Sequence, residues 1–246
     1  MGLAFFAVVA GLMALSPRPA RAFGETSAVS VGIVRHSGLS GTRTSGYKRL
    51  SWEVSKRTSI AVVLEPKTVD LTDPDLFLLP LLVLSGDGDF PAFSEAEREA
   101  LRRHLTFGGM LIVDDESGQP GGPFDRAARR ELAVVLPTAK PARIDKTHVL
   151  FKSFYLLDKP FGRVEAAPEA DGIVLAGRLA VIFSPNDLGG ALAKDGFGNW
   201  EHEVVPGGDQ QRERAFRFGV NIVMYALCLD YKDDQVHVPF IMKRRR

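Results

Sequence analysis

Cysteine is almost absent. Cys228 stands alone among 246 residues, so no intrachain disulfide can form and a stapled extracellular scaffold is excluded. It sits in an apolar stretch, residues 218–229, with Leu227, Leu229 and Asp230 beside it. A nucleophilic thiol wants a base and electropositive surroundings, so Cys228 reads as a small buried hydrophobe. Charge of one sign is also lacking: thirty-one basic residues face thirty acidic ones, for a formal charge of +1. Nucleic acid and anionic membranes therefore gain no global electrostatic attraction, and nucleic acid is not expected as a partner. The basic run Lys243-Arg244-Arg245-Arg246 reads as a solvated tail, with a phosphate or headgroup contact as its alternative. Internal repeats, low-complexity tracts and long apolar runs are missing too. The longest N-terminal apolar stretch, Leu3 to Leu15, falls short of the roughly 20 residues that a membrane-spanning helix needs.

That stretch has another reading. It is followed by Ser16-Pro17-Arg18-Pro19 and Ala20-Arg21-Ala22, the order of an h-region, a helix-breaking c-region and an A-x-A cleavage site. The expectation is a signal peptide over residues 1–22, cleaved after Ala22, and an exported, periplasmic or envelope-associated protein. No Lys or Arg precedes the h-region, so retention as an anchor stays open. The remainder, 45% hydrophobic and 25% charged over the whole chain, suits one globular domain with a sizeable core. Its expected limits are residues 23–230, with a C-terminal extension over 231–246.

Along that domain, strands and helices alternate. Ala28 to Val34 reads as a strand, Tyr47 to Arg57 as a helix with Leu50 and Val54 on one face, and Ile60 to Leu64 as a second strand. Phe77 to Leu84 is an apolar run whose second half reads as a strand covered on both faces. Ser94-Glu95-Ala96-Glu97 is a capping box that starts a helix ending at Phe107 with Gly108-Gly109, and Met110 to Val113 is the next strand. This βαβ unit predicts two parallel strands. Pro123 to Leu136 follows as a helix, Ile173 to Leu175 and Leu179 to Phe183 as a hairpin, residues 187–211 as a long loop, and Arg212 to Asp230 as the last helix. The pattern predicts an α/β three-layer sandwich with a mostly parallel sheet. Ligands of such sheets bind beyond the C-terminal strand ends. The loops expected there are 36–46, 85–93, 114–123 and 185–190.

The stretch LLVLSGDGDFPAFSEAEREALRRHLTFGGMLIVDDES resembles the segment shared by class I glutamine amidotransferase-like proteins, which have a flavodoxin-like architecture. Together with FDRAARREL, HVLFKSFY, GIVLAGRLAVIFSPND, GVNIVMYAL and YKDDQVHVP, it is similar to the exported bacterial family known as domain of unknown function 4159. The resemblance implies that fold and a cell-envelope role, with MoxR-type ATPases and von Willebrand A domain proteins as partners. It brings no established activity.

Amidotransferases of this fold carry a catalytic Cys at a sharp strand-to-helix elbow. Here no cysteine lies in that region, and Ser85-Gly86-Asp87-Gly88 does not match G-x-S-x-G. The amidotransferase reaction is therefore not expected, and no residue is assigned as catalytic. Of the histidines His36, His104, His148, His202 and His237, His36 at the end of the first strand is the best placed to face a ligand. His104, on the capped helix, reads as solvated or partly packed, and His148 as an anchor for the aromatic residues after it. Asp87, Asp89, Asp114, Asp115 and Glu116 come from the ends of two adjacent strands. Clustered carboxylates repel unless protonated or neutralised, so Asp87, Asp89, Asp114 and Asp115 are the candidate ligands of a divalent cation. The alternative is that they are turn formers, paired with Arg35, Arg43 or Arg178. The candidate ligand-binding set is His36, Ser85, Asp87, Asp89, Asp115 and Asn186. No cofactor is required, although a divalent cation fits. Three functions follow: a non-catalytic domain binding an envelope partner or small polar ligand, a cation-dependent hydrolase, or a structural subunit that docks through residues 231–240.

Overall fold

The computed structural model describes residues 28–39 and 43–227. The expected signal peptide, Cys228, His237 and the C-terminal extension lie outside the described residues. Strand β1 (Val31–Val34) leads to helix α1 (Thr44–Arg57) and strand β2 (Lys67–Val69). After a 3-10 turn at Pro74–Leu78 come β3 (Leu81–Gly86), α2 (Glu95–Thr106), β4 (Met110–Asp115) and α3 (Pro123–Val135). Then follow β5 (Ala142–Arg143), a second 3-10 turn at Val149–Lys152, β6 (Asp171–Leu175), β7 (Arg178–Ser184), the short α4 (Leu188–Leu192) and α5 (Gly208–Leu227).

The seven strands form one sheet in the order β2-β1-β3-β4-β7-β6-β5. The first five are parallel, and β6 and β5 extend the sheet antiparallel. Strands β3 and β4 are buried along their whole length because helices cover both faces. On one face Val83, Ile112 and Ile182 pack with Leu50, Leu188 and Phe218 of α1, α4 and α5. On the other, Leu84, Val113 and Phe183 pack with Leu101 and Leu105 of α2 and Phe124 and Leu132 of α3. Among the described residues, no helix is long and apolar enough to cross a membrane.

The βαβ unit forms as its sequence demands. Ser94 Oγ accepts from the Glu97 amide, and Glu97 accepts from the Ser94 amide at 2.7 Å, closing the capping box. The 173–183 hairpin also forms, turning through Ala176 and Gly177, both at positive φ, as a two-residue hairpin requires.

Three expectations change. Of Ile60 to Leu64 only Val62 pairs, in a single bridge to Val29, and the ladder resumes at Lys67. Pro66, just before that point, has no N–H to give to a ladder. Helix α1 starts at Thr44 rather than Tyr47. Gly46 belongs inside it because a Cβ there would collide with the backbone of Gly189, so the glycine lets α1 lie directly on α4. The region 187–211 is not one open loop: α4 is fully buried straight after β7, and only residues 193–207 make an excursion.

Candidate functional site

The parallel strands end together, and period-two alternation sorts their last side chains. Ser85, Asp114 and Ser184 are registered neighbours across β3, β4 and β7, on the face that carries α1 and α4. All three are buried. Asp114 is sealed by three donors: the Tyr47 hydroxyl at 2.8 Å, the Leu188 amide at 2.9 Å and the Gly189 amide at 2.7 Å. Burial and the neighbouring Asp187 charge push its pKa up to about 7, against those three hydrogen bonds. Burial, with Asp114 next to it, raises the Tyr47 pKa well above its ordinary value.

Asp187 caps α4 from a left-handed backbone conformation, φ 54°, and its Oδ1 accepts from the Gly190 amide at 2.8 Å. It is completely buried and takes a two-pronged contact from Arg43, Nε to Oδ1 at 2.9 Å and Nη2 to Oδ2 at 3.0 Å. Arg163 donates to the same carboxylate. The Arg43 Nη1 lies 2.7 Å from His202 Nε2, and the proximity is repulsive if the ring is protonated. Burial, and then Arg43, lower the His202 pKa, so the ring is neutral and accepts from Arg43.

Above this network opens a cleft of about 660 Å³, lined by Arg43, Asp87, Glu116, Ser117, Gln119, Arg163, Glu201 and His202. It presents the guanidiniums of Arg43 and Arg163, held by the buried Asp187 carboxylate, and the His202 imidazole held by Arg43, together with acidic and amide groups. Such a surface offers donors and acceptors together in a fixed arrangement.

The residues expected from sequence are divided by the fold. Asp87 lines the cleft and Ser85 is buried beneath the strand ends. Asp115 faces the other side of the sheet, where its Oδ1 accepts from the amide and hydroxyl of Ser117. Asp89 pairs with Arg130 at 3.1 Å. The set Asp87, Asp89, Asp114 and Asp115 is thus spread over both faces and the rim, because consecutive strand residues point opposite ways. Among the described residues, no three His, Cys, Asp or Glu side chains gather as metal ligands. His36 braces the β3–α2 loop: its ring nitrogens contact Glu97 Oε1 at 3.2 Å and the Pro91 carbonyl at 2.9 Å, and it packs edge-on to Phe93. Asn186 holds the 160–167 segment through the Pro160 carbonyl and both backbone groups of Ala167. His104 is buried rather than solvated, bonded to the Leu79 carbonyl at 2.7 Å. Of the expected arginine partners, Arg35 takes Asp70, Arg43 takes Asp187, and Arg178 takes the carbonyls of Gly109 and Leu105.

Arg43, Tyr47, Arg163 and Asp187 were not singled out as site residues by sequence. The signal that could have found Asp187 is its place in Asn186-Asp187-Leu188-Gly189-Gly190, a helix cap directly after a strand.

A parallel α/β sheet with helices on both faces and a polar cleft at its C-terminal edge defines the class of protein. Within that class, a family model for a domain of unknown function, DUF4159, matches residues 30–227, and the chain belongs to that family. None of the curated proteins matches the chain.

Proposed function

We propose that this chain is an exported, non-catalytic domain of the bacterial cell envelope that binds a small polar ligand in the cleft over Arg43, Arg163 and His202. The observation that carries the reading is the state of the charges beneath the cleft. Asp114 is saturated by hydrogen bonds and Asp187 by ion pairs to Arg43 and Arg163, so Asp187 positions the cleft's donors and neither carboxylate offers itself as base or nucleophile. The finer fold reading is flavodoxin-like, of the class I glutamine amidotransferase-like kind. The order β2-β1-β3-β4-β7 supports it, since it repeats the 2-1-3-4-5 arrangement whose switch point lies between β1 and β3. An amidotransferase-type elbow is not supported: β3 ends at Gly86 and α2 begins only at Glu95. The cation-dependent hydrolase would need the four aspartates at one point, and their separation favours binding over hydrolysis.

A protein partner fits the 193–207 excursion, which flanks the cleft through Glu201 and His202. Phe197 stands at its tip, 94% exposed, on a turn fixed by Asp195 Oδ1 with the amides of Phe197 and Asn199. A large apolar side chain on an ordered turn suits an anchor for a partner's pocket. The MoxR-type ATPases and von Willebrand A domain proteins implied by the resemblance are the proposed partners.

The test is a titration of the full chain with free amino acids, dipeptides and monosaccharides, followed by amide chemical shifts. Saturable shifts at Ser117, Gln119 and His202 that Arg163→Lys weakens at least tenfold are expected. Binding that Arg163→Lys leaves intact, or no saturable binding by any of the three classes, overturns the small-ligand reading.

A further inference from the structure

On the opposite face of the sheet a separate cavity of about 240 Å³ lies between the ends of β4 and β7 and helix α3. Val113, Phe183, Phe124, Pro120, Pro168 and Pro185 make much of its wall apolar. Val113 and Phe183 are registered neighbours on β4 and β7. Asp115 follows Val113 by two positions, so its carboxyl projects to the same side. Only 4% of the residue is exposed. Its Oδ1 is held by Ser117, at 2.9 Å from the amide and 2.5 Å from the hydroxyl, while Oδ2 is buried without a hydrogen-bond partner.

Asp115 also lacks a counter-ion among the described residues. The two arginines of the cavity are committed elsewhere. Arg129 bridges Asp125 and Asp171, each at 2.9 Å, and stacks over Phe183 at 4.3 Å. Arg143 pairs with Glu169 and lies 3.4 Å from Asp171. Asp115, Asp125, Glu169 and Asp171 therefore outnumber Arg129 and Arg143, and the cavity carries excess negative charge. Burial, and the charge of Asp125, raise the Asp115 pKa, as expected for an acid with no cation beside it. A desolvated acceptor left open is unfavourable until a donor reaches it.

We propose that this cavity binds a small organic cation, a primary ammonium on a short apolar body, with the ammonium on Asp115 and the body against Val113, Phe124 and Phe183. An inorganic cation would want several oxygen ligands at one point, whereas Asp125, Asp171 and Glu169 are taken up by Arg129 and Arg143, and no three carboxylates gather as ligands among the described residues. The cavity lies below the 300 to 1,000 Å³ typical of drug-sized ligands, so the body is short.

The experiment titrates the full chain with n-butylammonium near neutral pH, with 1-butanol and butyrate as controls of matching shape. Butylammonium is expected to bind saturably and to shift the amide resonances of Val113, Asp115 and Phe183, whereas the alcohol and the acid do not. Asp115→Asn is expected to weaken it at least tenfold. Should Asp115→Asn fail to fold, Ala167→Leu, which keeps Asp115 but fills the half-buried wall, is expected to give the same loss. No saturation of butylammonium up to about 10 mM, a concentration that would detect even a millimolar site, overturns the proposal. So does equal binding of butanol, or binding that both variants leave unchanged.

Discussion

Replacing Asp187 by Asn separates charge from geometry at the centre of the molecule. Asp187 is completely buried, caps α4 and anchors both Arg43 and Arg163. Asn tolerates the left-handed backbone and keeps Oδ1 for the Gly190 amide, so Asp187→Asn spares the cap while it removes the charge and the acceptor that Arg43 and Arg163 share. Breaking one side of a buried ion pair costs about 3–5 kcal/mol. With about 2–4 °C per kcal/mol for a domain of this size, the melting temperature should fall by roughly 10 °C. Asp187→Ala adds the lost cap, about 1 kcal/mol, at a backbone conformation that Ala adopts less readily than Asp or Asn, and should be lower still. The second readout is pH. Asp114 titrates near 7 in the folded protein against 3.8 ordinarily, so between these values the folded state keeps a proton that the unfolded chain has released. Stability is therefore greatest at the acid end of that window and declines as pH rises through about 7, by up to about 4 kcal/mol at 1.36 kcal/mol per pKa unit. Asp187→Asn removes the repelling charge while Arg43 remains near Asp114, so its pKa drops and the decline should flatten. Differential scanning calorimetry of parent and variant from pH 4 to pH 8 reads both effects. An unchanged melting temperature with an unchanged pH slope would refute the network as a structural element.

Two further outcomes concern the other face. Ser94→Ala removes one half of the capping box and should cost about 1 kcal/mol in urea unfolding, with Ser94→Gly costing less; no loss in Ser94→Ala would mean that the cap bond contributes nothing. Glu131 is buried and accepts from the Phe93 amide at 3.0 Å, from Arg98 and from Arg130, tying the loop before α2 to α3. Glu131→Ala should cost about 3 kcal/mol and increase amide exchange at Phe93, whereas a variant with parental exchange there would place the loop's order elsewhere.

Sequence revealed the elements whose signals are local. The box Ser94 to Glu97 and the glycine pair 108–109 marked both ends of α2. Gly109 is further required because a side chain there would strike the His104 ring, a constraint that arises only from packing. The same packing fully buries His104, which a helix pattern with Arg102 and Arg103 beside it leaves solvated or partly packed. Helix α4 was illegible because Leu-Gly-Gly-Ala-Leu has the composition of a loop. Gly189 serves the approach of α1, a contact between residues more than a hundred positions apart, and Gly190 leaves room for the Asp187 carboxylate. The Asp114-Asp115-Glu116 run misled in a different way. Adjacency in sequence suggested one acidic site, yet adjacent side chains of a strand face opposite sides, so Asp114 and Asp115 are parted by the sheet itself.

The end of β4 consequently serves two compartments, and the state of its two carboxylates tells them apart. Asp114 meets two backbone amides and a phenol, which makes it a structural post tying α1 and the start of α4 to β4, while Asp187 holds Arg43 and Arg163 at the cleft. Asp115 meets only Ser117 and keeps one oxygen unsatisfied in an apolar cavity. Binding in the cleft therefore depends on groups that Asp187 holds, and binding in the cavity on Asp115 itself. The two sets share no residue but touch through Ser117, which lines the cleft and donates to Asp115 Oδ1; Asn keeps that oxygen, so Asp115→Asn should leave the cleft's ligand affinity nearly unchanged. Arg163→Lys should likewise leave butylammonium binding as it is.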